Sequence, residues 1–252
     1  MQVIDAHTHV GGCMSTAFFT DHKYSVDELL KEMDNSDVVS ALVSGGGQPH
    51  MIKNMNRDAL HSTLRCPERL HGLIRIHPKL PDWEDEVDRY MSTGQFKGIK
   101  LHPAQDAYLA IDPTVDQVIA KAEELGVPVL VHSGTEPYTS PGLIAKLAAN
   151  HPKAAIIMAH AGRGEAKGVL ATAENLSNLY LECSMNLPSN VRRAIDRLGP
   201  ERIMYGSNWP ACGMRPWIET MRSCMEAFSS REYDLFMGGN AARLFRLETL
   251  PG

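Results

Sequence analysis

The sequence lacks a surplus of positive charge. Its 25 lysines and arginines stand against 30 aspartates and glutamates, for a formal net charge of −5. Proteins that bind nucleic acid usually carry a basic patch, and no basic cluster occurs along this chain. No apolar run approaches the roughly 20 residues that a membrane-spanning helix requires. We therefore expect neither a nucleic-acid partner nor a membrane span.

Cysteine is also scarce, and it is not patterned. The chain has five cysteines, an odd number, and no two of them have the C-x-x-C spacing. This usage argues against a disulfide framework and is typical of reduced thiols in a cytoplasm. The first apolar strand begins almost at Met1, so we expect no signal peptide. A cytoplasmic location is the prediction from these absences.

Eight short apolar runs recur along the 252 residues, and each is followed by a helical pattern. Most are continuous Val/Ile/Leu runs, as expected for parallel strands that are covered on both faces. Successive runs start roughly 24 to 35 residues apart, the length of one βα unit. The runs are residues 3–6, 38–43, 70–76, 96–101, 127–131, 154–158, 179–182 and 203–205.

Eight βα units in about 250 residues predict an α/β protein with a distorted (β/α)₈ TIM barrel, in which the active site lies at the C-terminal ends of the strands. We expect a single domain over residues 1–252. A doubly wound open sheet would usually have a glycine-rich phosphate loop, and the run Gly45-Gly46-Gly47 lacks the G-x-G-x-x-G spacing. Asn240 follows a Gly-Gly break and is predicted to cap the last helix.

Two histidines, His7 and His9, lie one residue apart at the end of the first strand. Alternate residues of a strand point to the same side, so the two imidazoles face one point in space and form half of a metal site. Single histidines end three later apolar runs in the same way: His102, His132 and His160. A lone histidine is usually structural, whereas five at strand ends predict a metal site on the active face of the barrel.

Short motifs surround these histidines over essentially the whole chain. They are Asp5-Ala6-His7-Thr8-His9, Gly98-Ile99-Lys100-Leu101-His102-Pro103, Val131-His132, Ala159-His160-Ala161-Gly162, Tyr205-Gly206-Ser207-Asn208-Trp209-Pro210 and Gly239-Asn240-Ala241-Ala242-Arg243-Leu244-Phe245. The combination resembles the amidohydrolase superfamily, in particular the amidohydrolase-related group that includes aminocarboxymuconate-semialdehyde and resorcylate decarboxylases and several lactone hydrolases. Any one of these motifs alone is weakly specific.

The resemblance implies that His7, His9 and His132 bind a divalent metal, most often zinc. It also implies that His160 faces the substrate and polarises or protonates it. In such proteins the eighth strand supplies an aspartate that touches the metal and takes a proton from metal-bound water. The matching residue in this chain is Asn208. We count Asn208 among the metal ligands and the catalytic residues, although an amide is only a weak neutral ligand and accepts no proton near pH 7.

Three other carboxylates could compensate for the missing aspartate. Asp5 shares strand parity with His7 and is expected to brace a ligand. Glu136 follows His132 in the loop after the fifth strand. Glu182, near the end of the seventh strand, is interpreted either as a group that orients a ligand or as an exposed loop charge.

Lys100 shares strand parity with His102 in the fourth strand. Some amidohydrolases carry a carboxylated lysine there that bridges two metals, whereas relatives with a Lys-Leu-His-Pro run look mononuclear. We therefore expect Lys100 to face the substrate or to form a salt bridge. A carboxylated Lys100 that bridges two metals remains the alternative. His102 could simply fix its loop, because a proline follows it.

The resemblance leads to one main hypothesis: a mononuclear zinc hydrolase that acts through metal-activated water on a small acidic molecule, such as a lactone or a related ester or amide. The acidic substrate is inferred from cationic and aromatic residues expected near the barrel mouth. These are Lys100, His102, Arg163, Trp209 and Arg215.

Two alternatives remain. Non-oxidative decarboxylation needs no base to activate water, which makes it compatible with Asn208. A metal- or ligand-binding barrel without turnover is the third hypothesis, because the usual aspartate is absent. A homodimer is expected from the family resemblance alone.

Overall fold

Eight parallel strands hydrogen-bond in sequence order to form the barrel wall. The computed structural model describes residues 2–11, 24–163 and 166–248. The strands are β1 (Val3–Gly11), β2 (Val38–Gly46), β3 (Leu70–Arg75), β4 (Phe96–Leu101), β5 (Val129–Val131), β6 (Ile156–Met158), β7 (Leu179–Glu182) and β8 (Ile203–Met204). β1 is longer than the predicted run, since pairing with β2 continues through the H-x-H motif to Gly11.

Helices alternate with the strands and cover the outside of the barrel. They are α1 (Val26–Asn35), α2 (Ile52–Arg65), α3 (Trp83–Met91), α4 (Pro103–Asp106), α5 (Pro113–Leu125), α6 (Pro141–Asn150), α7 (Ala166–Ala173), α8 (Pro188–Leu198), α9 (Met214–Ser223), α10 (Ser230–Asp234) and α11 (Asn240–Phe245). Within the described ranges, none of them is long and apolar enough to cross a membrane.

Hydrogen bonds between β1 and the segment after β8 close the barrel. The backbone N–H of His9 donates to the carbonyl of Trp209 at 2.9 Å, and the N–H of Asn208 donates to the carbonyl of His7 at 2.8 Å. These bonds bring the H-x-H motif against the Asn208 segment, about 200 residues away in sequence. The predicted (β/α)₈ TIM barrel is confirmed, and the doubly wound sheet is excluded.

Apolar side chains fill the barrel interior beneath the C-terminal ends of the strands. The plug consists mainly of Ile4, Leu42, Leu73, Leu130, Ile157 and Met204, with Phe245 of α11 against it. A residue two positions further along a strand points to the same side. Arg75 therefore follows Leu73 into the interior, and His132 follows Leu130. The layer above the apolar plug is thus polar, and it is there that the candidate site lies.

Asn240 does not cap a helix, so the prediction of an N-cap is wrong. The preceding segment, Leu235–Gly239, is already a π-helical turn that runs directly into α11, which leaves no free helix start to cap. The buried Asn240 side chain instead donates from Nδ2 to the carbonyls of Pro200 at 2.6 Å and Ile203 at 2.7 Å. It therefore ties the last helix to the start of β8.

We expect Asn240→Ala to lower the free energy of unfolding by about 2–4 kcal/mol, because it removes the donor from one buried and one partly buried carbonyl. Chemical denaturation measures the change. Asn150→Ala, at the exposed end of α6, is the matched control and should stay within about 0.5 kcal/mol of the parent. Equal stability of the two variants would show that the Asn240 bonds contribute nothing.

Candidate active site

A cavity of about 320 Å³ opens at the C-terminal ends of the strands. All five histidines predicted from the strand ends line it, together with Lys100 and Asn208. Segments separated by up to about 200 residues in sequence meet there, because parallel strands bring their C-terminal ends to one rim of the barrel. The location of the site at this rim therefore matches the location predicted from the sequence.

A buried carboxylate, that of Glu182, connects two of the histidines. Its Oε2 lies 2.7 Å from Nδ1 of His7 and accepts from the hydroxyl of Ser184 at 3.0 Å. Ser184 Oγ in turn lies 2.7 Å from Nδ1 of His160. Because the Ser184 proton goes to Glu182, the hydroxyl accepts from His160, so both histidines carry their proton on Nδ1 and leave Nε2 with a lone pair.

His9 contacts Ser44 and Asn208 with its two ring nitrogens. Its Nδ1 lies 2.9 Å from Ser44 Oγ, and its Nε2 lies 3.2 Å from Oδ1 of Asn208. An amide oxygen only accepts, so the ring donates from Nε2 in this arrangement. A serine hydroxyl can donate or accept, so Ser44 also suits the other tautomer, in which Nε2 is free to bind a metal.

Asn208 has a backbone conformation that few residue types adopt, with φ of 61°. Asparagine and aspartate tolerate this left-handed region better than other side chains that carry a Cβ. The amide Nδ2 points to the sulfur of Met185 at 3.5 Å, which directs Oδ1 towards His9. The asparagine thus occupies a place where an aspartate would also fit.

His160 lies in a strained turn directly after β6. His160 and Ala161 have φ of 56° and 43°, although neither is a glycine. Side chains around the turn hold it: Asn186 donates to the carbonyl of His160 at 2.7 Å, and Ser133 accepts from the N–H of Gly162 at 3.1 Å. Backbone strain that the surroundings maintain is common at functional sites, and here it aims the His160 ring into the cavity.

The His102 and His132 rings stack face to face, with centroids 3.8 Å apart and an interplanar angle of 11°. His102 Nδ1 also accepts from the N–H of Gln105, so this ring caps α4. His102 therefore fixes the loop after β4, which was one of the two alternatives, and its ring also lines the cavity. Glu136 lies at the rim, with Oε1 3.8 Å from Nε2 of His132.

Lys100 is buried, and its amine lies 2.9 Å from Nε2 of His7. Burial lowers the pKa of Lys100, while the nearby Glu182 carboxylate opposes that shift. Because His7 carries its proton on Nδ1, the amine donates to the Nε2 lone pair. Lys100 therefore lines the cavity, and its hydrogen bond is to a predicted metal ligand.

Burial also lowers the pKa of the histidines. The pKa of His9 falls to about 3, and those of His7 and His160 fall well below the usual value, with the Lys100 charge adding to the effect of burial at His7 and His9. These imidazoles are therefore neutral at pH 7, which is the form that binds metals. With a hydrogen-bond partner at each Nδ1 of His7 and His9, the site has the donor chemistry that a divalent cation requires.

Among the described His, Cys, Asp and Glu residues, one group has donor atoms that all lie within 4.8 Å of one another: His7, His160 and Glu182. This group shares only His7 with the predicted set of His7, His9 and His132. Glu182 already accepts from His7, Ser184 and the N–H of His160. A carboxylate engaged in this way is better suited to orienting a ligand than to being one.

Two residues predicted near the mouth, Arg163 and Trp209, are not among the residues that line the cavity. Arg163 is exposed and contacts the sulfur of Met185, and its charge contributes to lowering the pKa of His160. Trp209 is packed into the core with its ring edge-on to Tyr24. The prediction that Arg215 lies near the mouth is wrong, since Arg215 donates to the carbonyl of Asn35 at the C-terminal end of α1, on the opposite side of the barrel.

Asp5 braces the site through the backbone rather than through an imidazole. Its Oδ1 accepts from the N–H groups of His7 and Ser207, each at 3.0 Å. Burial raises the pKa of this carboxyl to about 6, against the effect of these hydrogen bonds. Asp5 therefore joins β1 to the segment after β8 and helps to position both His7 and Asn208.

Arg75 and Ser184 were not predicted from the sequence as residues of the site. Arg75 lines the cavity, and its signal was a charged residue within an otherwise apolar strand, since arginine is almost never fully buried without a partner. Ser184 has the same strand parity as Glu182, but only the fold reveals that it reaches His160.

The comparisons with known proteins give the family and support the fold. A family model described as amidohydrolase matches residues 4–247. The L-fucono-1,5-lactonase of Burkholderia multivorans is 36% identical over 59 residues, a segment that spans 21% of this chain and 20% of that protein. Among solved structures, 2,6-dihydroxybenzoate decarboxylase from Rhizobium has a TM-score of 0.80 at 16% identity, covering 98% of this chain and 99% of that one. An amidohydrolase from Burkholderia multivorans with bound zinc has a TM-score of 0.77 at 17% identity, covering 98% and 100%.

We expect His9→Ala to weaken zinc binding by at least about 100-fold. The loss of a residue that only hydrogen-bonds to a metal ligand already lowers metal affinity by about 10- to 100-fold. His160→Ala should retain the metal, because His160 is predicted to face the substrate. Competition with a chromogenic chelator measures both affinities, and His61→Ala, exposed on α2, is the matched control. The reverse outcome, in which His160→Ala loses zinc and His9→Ala keeps it, would instead favour His7, His160 and Glu182 as ligands.

Proposed function

Because this chain belongs to the amidohydrolase family, whose members are hydrolases or decarboxylases, we propose that it is a metal-dependent hydrolase of a small acidic molecule. A lactone is the preferred substrate, with a related ester or amide as the wider class. The observation that carries the proposal is the chain from His160 through Ser184 to Glu182. It leaves an unprotonated imidazole nitrogen on a residue that lines the cavity.

A divalent metal held by His7, His9, His132 and Asn208, most readily zinc, would supply Lewis acidity to activate water and polarise the carbonyl. The neutral imidazoles support this assignment, as does the hydrogen bond that fixes the His7 tautomer. The bound zinc in the related amidohydrolase from Burkholderia multivorans supports the choice of metal.

His160 performs the proton transfer that an aspartate on the eighth strand would otherwise perform. Its Nε2 accepts the proton of the attacking water and then returns it to the leaving oxygen of the ester or lactone. The positive charge formed on the ring is stabilised through Ser184 by the Glu182 carboxylate, in the way that a buried acid stabilises a catalytic imidazolium. Asn208 holds its place in the site without taking a proton.

The lactone is supported by the match to the L-fucono-1,5-lactonase, although that match covers only a fifth of either protein. A cavity of about 320 Å³ suits a small molecule, since ligand pockets of this kind run from about 300 Å³ upwards. The reaction splits the ring C–O bond, adds the elements of water and leaves a hydroxy acid.

A second candidate, non-oxidative decarboxylation, is favoured by Asn208. This reaction breaks a carbon–carbon bond to carbon dioxide and places a proton on carbon, so it requires an acid and no base that activates water. His160 would donate that proton only after taking one up, since burial keeps its ring neutral at pH 7. The structural likeness to 2,6-dihydroxybenzoate decarboxylase is compatible with this reaction.

We expect zinc-loaded protein to hydrolyse members of a panel of small lactones, and His160→Ala to lower kcat by about 10²- to 10⁴-fold because the proton acceptor is lost. Turnover in ¹⁸O-labelled water, with the label followed into the product by mass spectrometry, measures hydrolysis directly. His61→Ala serves again as the control. Carbon dioxide release from aromatic carboxylates, with no label in the product, would overturn hydrolysis in favour of decarboxylation.

Asn208→Asp separates the two reactions further. We expect the new carboxylate to bind zinc more tightly and to add a proton acceptor, which raises lactone hydrolysis by up to about 10²-fold. Steady-state kinetics with the metal content measured in parallel provide the test. If both the parent and the variant bind stoichiometric metal and neither turns over substrate, the result supports the third hypothesis, a metal-binding barrel without catalysis.

A further inference from the structure

Two cations lie side by side inside the barrel, at neighbouring positions of β3 and β4. Arg75 and Lys100 are register partners, and their exposures are 3% and 1%. Their charges repel, which contributes to lowering the pKa of Lys100. Burying two like charges together is costly unless each has a partner or a ligand.

The partners of the two cations differ. Lys100 donates to His7 and is close to Glu182. Arg75 forms a salt bridge with Asp106 at 2.8 Å. The remaining donors of Arg75 are of interest, because its side chain also lines the cavity.

The guanidinium of Arg75 has more donors than acceptors around it. Nη2 donates to Asp106 and, at 3.4 Å, to Gln105, and Nη1 donates to the carbonyl of Ile76 at 3.3 Å. Three of its five N–H groups are thereby used. The Tyr108 hydroxyl also lies within hydrogen-bond reach of the guanidinium, which leaves one N–H group without an acceptor among the described residues. A buried arginine with an unpaired N–H group beside a cavity is arranged to receive an anion.

The wall around Arg75 is built by Gln105 and the glycine run after β2. Gln105 accepts from Arg75 and donates from Nε2 to the carbonyl of Gly47 at 2.8 Å. Gly45, Gly46 and Gly47 line the cavity beside it. A Cβ at Gly45 or Gly47 would meet Met55 of α2 rather than enter the cavity, so backbone atoms form this part of the wall beside the guanidinium.

We propose that Arg75 binds a carboxylate of the substrate, and so selects acidic over neutral molecules. This inference rests on the proposed function in one respect: it takes the same cavity as the substrate site. It assigns the acidic specificity to Arg75, which lines the cavity, rather than to Arg163 or Arg215, which do not. A planar guanidinium matches a planar carboxylate better than the point charge of Lys100 does.

The test is an equilibrium preference between two probes of nearly equal shape, glutarate and its monoamide glutaramate. One carboxylate of each can bind at the metal, so the second group reports on Arg75. We expect zinc-loaded protein to bind glutarate about 10- to 100-fold more tightly, the usual value of a hydrogen bond to a charged group. Isothermal titration calorimetry measures both affinities without any turnover.

The variant Arg75→Met/Asp106→Leu removes the arginine together with its buried partner, so that no lone charge remains. We expect the preference for glutarate to fall to less than about threefold, while the affinity for glutaramate changes little. Arg197→Met, which removes an exposed arginine of α8 paired with Glu174, is the control and should keep the full preference. A double variant that folds and keeps the preference would overturn the inference.

A second variant, Gln105→Glu, decides the question if the double variant fails to fold. It places a competing carboxylate beside Arg75 without removing any cation, so the glutarate preference should fall at least about tenfold. Gln117→Glu, at an exposed position of α5, is its control. An unchanged preference in Gln105→Glu would overturn the inference as well.

The failures of the two proposals are distinguishable. Metal-dependent lactone turnover with a glutarate preference that is insensitive to Arg75 would overturn this inference and leave the proposed function intact. A preference that depends on Arg75, in a protein with no turnover, would overturn the proposed function and retain the anion site.

Discussion

The site depends on one buried carboxylate, that of Glu182. It is fully enclosed by the barrel, and it accepts from His7 and Ser184 while lying against the turn that carries His160. Burial raises the pKa of this carboxyl to about 7, while the hydrogen bonds from Ser184 and His160 and the Lys100 charge oppose that shift and favour the charged form. In return, its fixed position determines which nitrogen of His7 and of His160 carries the proton, and thereby what each ring can do.

The same low-dielectric interior governs the rest of the chemistry. Burial keeps the imidazoles neutral and lowers the pKa of Lys100, and it makes each unpaired donor costly. Arg75 illustrates the consequence, because its pairing with Asp106 satisfies only part of the guanidinium. A substrate can form hydrogen bonds with the polar groups that the protein leaves partly unpaired inside a cavity. The burial that shifts the pKa values therefore also determines which substrates bind.

The fold and the rim histidines could be predicted because strand ends are visible in a sequence. The H-x-H motif has strand periodicity, and single histidines follow apolar runs, so the barrel topology alone brings them together. The interactions of Ser184 with His160 and of Arg75 with Asp106 could not be predicted, because they join different strands and loops. Arg215 was misplaced for the same reason: position after a strand does not say which way a side chain turns.

Asn208 shows how such a site can keep its geometry while a different residue takes over the transfer of the proton. Its left-handed backbone suits asparagine and aspartate alike, so the amide preserves the place but loses both the negative charge that attracts a cation and the ability to accept a proton. In the proposed mechanism His160, which Ser184 connects to Glu182, accepts the proton instead. The choice between hydrolysis and decarboxylation then depends on the bond that the substrate presents to His160 and on whether the eighth strand supplies a base.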